Sequence, residues 1–228
     1  HWAVKMIEGQ SAHGGCGFDP MAVRRRANKT LHLSQNGRRR SLVMLGDFQQ
    51  FLADYVLWGG AIMKVGFIGL GNVGGKLSGS LLRNGFDLTV RDLDKSIAQP
   101  FLDAGAHWAE SPKAMAEQVD MIITCLPSPA ASAAVMEAED GILAGLRPGT
   151  IWAEMSTTDE SEVRRLGDLV KAKGGEPIDC PVSGGCHRAA TGNISIFAGC
   201  SRQTFERAFP VIQSLGRRIL HTCELGSA

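Results

Sequence analysis

A short apolar run, Lys64–Ile68, leads directly into Gly69-Leu70-Gly71-Asn72-Val73-Gly74, and an amphipathic stretch begins just beyond it. This junction constrains the fold more than any other part of the chain. In a G-x-G-x-x-G loop between strand and helix, each glycine meets a different steric demand. Gly69 permits a tight turn out of the strand, and Gly71 removes the Cβ that would collide with a pyrophosphate. Gly74 lets the helix lie close against the strand. The helix is expected over Asn72–Asn84, with Val73, Leu77 and Leu81 on one face and Gly85 as its C-cap. Its N-terminus offers unpaired N–H groups and a partial positive charge to phosphates.

From Met63 onward, short β-rich runs alternate with helical patterns, the signature of a parallel sheet with crossover helices. The expected strands are Lys64–Ile68, Leu88–Arg91, Met121–Cys125, Ile151–Glu154, Pro177–Cys180, Ile194–Ala198 and Arg218–His221. Further helices are expected over Asp159–Lys173, closed by Gly174-Gly175, and over Ser201–Ser214. A short one starts at Ser111-Pro112, where proline suits the first turn. The pattern predicts an α/β fold: a doubly wound, mostly parallel sheet of the Rossmann type over Met63–Ala228, preceded by a poorly structured N-terminal segment.

Residues 1–62 differ in pattern and charge. They hold eight basic and four acidic side chains, whereas the remainder holds 16 basic and 19 acidic. Two Arg triplets, Gly14-Gly15-Cys16-Gly17 and Asn36-Gly37 interrupt the segment, and Ser41–Trp58 is its one candidate helix. Three readings stand: a basic nucleic-acid-binding arm, a disordered natural extension, or residues outside the working protein with Met63 as the true start. The last is preferred. Arg triplets without interleaved aromatics give little support to the first, so no nucleic-acid partner is expected.

The six cysteines form no CxxC pair, so reduced thiols are expected rather than a disulfide frame or a metal site. The longest nearly apolar run, Tyr55–Gly71, contains Lys64 and five glycines. It falls short of the ~20 apolar residues of a membrane span. No membrane partner and a cytoplasmic location are expected.

A residue that reads the adenosine ribose belongs at the end of the second strand, about 20 residues past the loop. Asp92 stands 21 residues after Gly71, in Val90-Arg91-Asp92-Leu93. A carboxylate there accepts from both ribose hydroxyls and repels a 2′-phosphate, which favours NAD over NADP. The neighbouring Arg91 is the counter-indication, because an arginine at this turn can embrace that phosphate instead.

Four blocks in order now resemble the β-hydroxyacid dehydrogenases, a family within the 6-phosphogluconate dehydrogenase superfamily that includes 3-hydroxyisobutyrate dehydrogenase and tartronate semialdehyde reductase. Gly66-Phe67-Ile68-Gly69-Leu70-Gly71-Asn72-Val73-Gly74 resembles the family's opening, with Val73 where Met is usual. Cys125-Leu126-Pro127 resembles the loop that covers the cofactor. Glu154-Met155-Ser156-Thr157 resembles Asp-x-Ser-Thr, with Glu for Asp. Asp179-Cys180-Pro181-Val182-Ser183-Gly184-Gly185 resembles the Asp-x-Pro-Val-Ser-Gly-Gly substrate loop, the most diagnostic of the four.

The resemblance implies an NAD-dependent oxidoreductase of short β-hydroxyacids. Gly69, Leu70, Gly71, Asn72, Val73, Gly74, Asp92, Leu93, Leu126, Pro127 and Thr157 would bind the cofactor. Ser183, Gly184 and Gly185 would hold a substrate carboxylate, for which a hydroxyl and successive unhindered amides form a suitable concavity. It further implies a catalytic lysine beyond Ala228, on the first helix of a helical domain that closes the cleft and builds a homo-oligomer. No catalytic residue is therefore assigned within the sequence, and the chain as given is expected to bind dinucleotide without turning over. His187 is read as a loop residue rather than an acid–base group. Two alternatives share the fold: an imine reductase, against which the carboxylate loop argues, and a non-catalytic nucleotide-binding module.

Overall fold

The computed structural model describes residues 63–222 and 224–228. The candidate helix Ser41–Trp58 and both Arg triplets lie outside the described residues. The central sheet has the order β3-β2-β1-β4-β5-β6, and every adjacent pair is parallel. Its strands are β1 (Val65–Ile68), β2 (Leu88–Arg91), β3 (His107–Trp108), β4 (Met121–Thr124), β5 (Ile151–Glu154) and β6 (Glu176–Asp179). β1, β4 and β5 are buried along their whole length, as expected of parallel strands covered on both faces.

The winding reverses at β1, which pairs with β2 on one side and β4 on the other. A parallel sheet opens a crevice at such a point, outside the carboxyl ends of the strands. The register aligns Arg91, Ile68, Thr124, Glu154 and Asp179 in one row along that edge.

The connections are α1 (Gly74–Arg83), a 3-10 turn at Lys95–Ala98 with α2 (Gln99–Asp103), α3 (Pro112–Ala116), α4 (Pro129–Glu137), α5 (Ile142–Gly145) and α6 (Glu160–Ala172). Residues alternate between the faces of a strand, so Ile68, Ile122 and Trp152 share one side. They pack with Met115 of α3, Met136 of α4, Ile142 of α5 and Leu166 and Val170 of α6. The helices begin where local chemistry satisfies their free amides. Ser111 Oγ accepts from Ala114 N (3.0 Å) and Ser128 Oγ from Ala131 N (3.2 Å), each with a proline next in the chain.

Beyond β6 the chain forms a small second sheet. β7 (Val182–Ser183) runs antiparallel to β8 (Ile194–Ala198), which runs parallel to β9 (Gly216–His221). α7 (Gly185–Ala190) and α8 (Arg202–Leu215) complete the set. The doubly wound, mostly parallel architecture is as expected, and β7–β8 is its antiparallel exception. His187 lies on α7, not in a loop. No helix among the described residues is long and apolar enough to cross a membrane.

Candidate dinucleotide site

The three glycines of the first turn have three distinct surroundings. Gly69 has φ +100°, and a Cβ there would collide with the Cys125 carbonyl oxygen, so the loops after β1 and β4 touch at this point. A Cβ on Gly74 would collide with the Gly69 carbonyl and press on the Phe67 ring. A Cβ on Gly71 would meet no protein atom within 4 Å. The first two positions are glycine because the protein fills the space. Gly71 faces open space beside the helix N-terminus.

Helix α1 starts without a side-chain cap and without an acidic residue in its first turn. Among the described residues, nothing accepts from the backbone amides of Asn72 and Val73. Two unused donors at a positive helix end, beside an exposed Gly71, suit an anion.

Asp92 follows β2 and is half-buried. Its Oδ2 accepts from Leu70 N (2.7 Å) and its Oδ1 from Asp94 N (3.2 Å), which fixes the carboxylate against the glycine loop. Arg91 turns away from it. Its guanidinium donates to the carbonyls of Ala109 (3.0 Å) and Glu110 (2.6 Å) and lies over the Trp108 ring. Leu93 is 99% exposed, an apolar surface standing in solvent next to Asp92.

The roof of the crevice comes from the ends of β4 and β5. Leu126 N donates to Ser156 Oγ (2.7 Å), and Ser156 N donates to Glu154 Oε1 (2.8 Å). Pro127 and Thr157 are exposed beyond these bonds. Burial, reinforced by the nearby Glu154, pushes the Cys125 thiol up to about 12, so it is neutral at physiological pH. Glu154 is fully buried, and burial holds its carboxyl above the usual range against the hydrogen bonds that favour the anion.

Ser156, Thr157, Thr158, Asp179 and Pro181 line a small cleft of about 140 Å³ with Gly226 and Ala228. Asp179, also raised by burial, accepts from Ala228 N (3.2 Å). Two residues past Pro181, Ser183, Gly184 and Gly185 are exposed, the glycines at φ +132° and +73°. A Cβ on Gly185 would enter empty space, whereas one on Gly184 would meet the aliphatic stem of Arg188. Contacts thus run from Asp92 through Leu70, Gly69 and Leu126 to Ser156 along the carboxyl edge of the sheet, and Ser156 shares the small cleft with Pro181.

Two features of this edge are not readable in the sequence: the burial of Glu154, and Arg188 lying over the Gly184 turn. A larger cleft of about 530 Å³ lies near the amino end of β6, lined by Arg164, Asp168, Lys171 and Glu176 among others, and contains none of the motif residues. Cys125, Cys180, Cys186 and Cys200 form no disulfide among the described residues.

An open glycine turn, a fixed carboxylate 21 residues on and a crevice at the reversal of winding define a dinucleotide-binding domain. The family model for the NAD binding domain of 6-phosphogluconate dehydrogenase matches residues 64–223, and the chain belongs to that family. Rattus norvegicus mitochondrial 3-hydroxyisobutyrate dehydrogenase is 35% identical over 72% of this chain and 49% of its own length. The NAD-dependent L-serine dehydrogenase of Pseudomonas aeruginosa is 33% identical over 69% of this chain and 53% of its own. A solved structure in complex with NADP+ and 2-OPP superposes with a TM-score of 0.70 at 27% identity, over 72% of this chain and 58% of that one. The chain spans about half the length of the curated relatives it matches.

Proposed function

We propose that the protein is an NAD-dependent oxidoreductase of short β-hydroxyacids, in which residues 63–228 form the cofactor-binding domain. The amides of Asn72 and Val73 and the open face of Gly71 receive the pyrophosphate. Asp92 accepts from the adenosine ribose hydroxyls, and Leu93 offers apolar surface beside it. Leu126, Pro127 and Thr157 line the nicotinamide half of the crevice. NAD, when bound, supplies the hydride acceptor. Ser183, Gly184 and Gly185 seat the substrate carboxylate: all three are exposed two residues past Pro181, and Arg188 lies over the Gly184 turn.

Two acidic groups of this edge, Cys125 and Glu154, do not suit the role of general base. A base must be unprotonated and within reach of the substrate hydroxyl. Cys125 is neutral, and Glu154 is sealed beneath Leu126 and Ser156.

One observation carries the choice of NAD: the Asp92 carboxylate is fixed at the end of β2 while Arg91 is committed to the Ala109 and Glu110 carbonyls. A 2′-phosphate would meet the anion without the cation. NADH is therefore expected to bind at least about tenfold more tightly than NADPH, ~1.4 kcal/mol, and Asp92→Ala to narrow that gap. Fluorescence titration of both reduced cofactors tests this, and equal or tighter NADPH binding refutes the preference.

The proposed domain boundary has its own test. A chain beginning at Met63 is expected to keep the melting temperature and NADH affinity of the full sequence, because the sheet, its core and the crevice all lie after residue 62. A marked fall in either measurement would show that the upstream residues contribute to the fold.

A further inference from the structure

Glu154 is an expensive residue in its place. Its side chain is fully buried at the end of β5, and among the described residues it has no ion pair. Oε2 is buried without a hydrogen-bond partner, although the Thr124 and Ser132 hydroxyls flank the group. An apolar side chain of similar volume would cost the fold less, since buried ionisable groups are often replaced at no loss. What an apolar residue does not supply is the acceptor at Oε1. That atom takes the amide of Ser156 (2.8 Å), which holds Ser156 Oγ where it takes the amide of Leu126 (2.7 Å). Leu126 in turn packs over the Gly69 turn, where even a Cβ would not fit.

We propose that Glu154 is a positioning residue for the dinucleotide crevice: through Ser156 it fixes the Leu126 loop against the Gly69 turn and so sets the shape of the roof above the cofactor. It touches neither cofactor nor substrate. The reading rests on the cofactor-binding role proposed above. Burial raises the titration of the carboxyl and so favours its neutral form, whose shape and charge state glutamine reproduces. The neighbouring ionisable groups are Cys125 and Cys180, both raised by burial, and Asp179 across the β5–β6 register. None of them is a cation that would hold Glu154 charged.

Two measurements on the full chain test the proposal. The first is amide hydrogen exchange of Leu126 in the cofactor-free protein, and the second is NADH affinity by titration. Glu154→Met, which keeps bulk but removes the acceptor, is expected to speed Leu126 exchange and weaken NADH binding, each by about tenfold, the size of one lost hydrogen bond. Its melting temperature should fall by no more than the loss of that one buried hydrogen bond. Glu154→Gln is expected to match the wild type within about twofold in both. Ser156→Ala cuts the relay one step later and should reproduce the Met phenotype, and the double variant should be no weaker than Ser156→Ala alone, as for groups acting in series.

Additive losses, or unchanged Leu126 exchange in Ser156→Ala, would overturn the proposal. The latter holds even if Glu154→Met fails to fold. If the wild type bound neither NADH nor NADPH, the cofactor reading would fail by itself, while Leu126 exchange would still decide whether Glu154 positions the loop.

Discussion

Replacing Gly71 with valine is expected to abolish measurable NADH binding in a protein that melts at the same temperature as the wild type. The expectation separates two kinds of glycine in one loop. At Gly74 a Cβ would collide with the Gly69 carbonyl, so Gly74→Val should destabilise the fold as well as the site. At Gly71 nothing of the protein lies within 4 Å of a Cβ, and the backbone is not in the left-handed region. The added side chain therefore occupies only the space above the Asn72 and Val73 amides. Losing two charge-assisted hydrogen bonds to a pyrophosphate costs roughly 3 kcal/mol, about 100-fold in affinity. Thermal melts paired with NADH titration read both effects. If Gly71→Val bound NADH within a few fold of the wild type, the pyrophosphate would have to lie elsewhere. If it unfolded, the open space would not be open.

The contrast also shows what the sequence makes legible. The spacing of Gly69, Gly71 and Gly74 after an apolar strand is a local pattern, and at Gly69 and Gly74 the protein fills the space where a side chain would stand. Long amphipathic helices were equally readable, because a stripe such as Val163, Leu166 and Val170 repeats with the helical period. Helix α4 was not. Pro129–Glu137 is alanine-rich with no apolar stripe, and it is helical because alanine favours the helix while Ser128 caps it. β3 and β7 have two residues each, too few for any alternation to register.

The site divides along the same line. Asp92 could be found by counting from the glycine loop, but the commitment of Arg91 could not. Its partners, the Ala109 and Glu110 carbonyls, sit 18 and 19 residues away on the far side of β2. Nor does sequence show that Glu154 is sealed and neutral, since a glutamate ending a strand is more often solvated. Both facts come from strands brought side by side, and both bear on specificity and positioning more than on the identity of the fold.

The raised titration of buried Glu154 predicts a pH-dependent stability difference of definite sign. An unfolded glutamate titrates near its ordinary value of ~4.3, whereas burial holds the folded group higher. Below the unfolded value both states carry the proton, and the group contributes nothing that varies with pH. Above it the unfolded chain releases the proton while the folded one keeps it, so stability falls as pH rises, by up to ~1.4 kcal/mol per unit. The loss levels off only once pH passes the raised folded value. Glutamine has no proton to release. The melting temperature of Glu154→Gln should therefore lie close to the wild type at pH 4 and move above it as pH rises toward pH 7, until the raised folded value is passed. The thiols of Cys125 and Cys180, raised by burial, keep their protons across this range in both proteins, and Asp179 is common to both. A gap that stayed constant across this range would mean that Glu154 titrates alike in both states. A gap that closed with rising pH would mean that the folded protein favours the anion, and that the roof of the crevice is held by a carboxylate rather than a neutral acid.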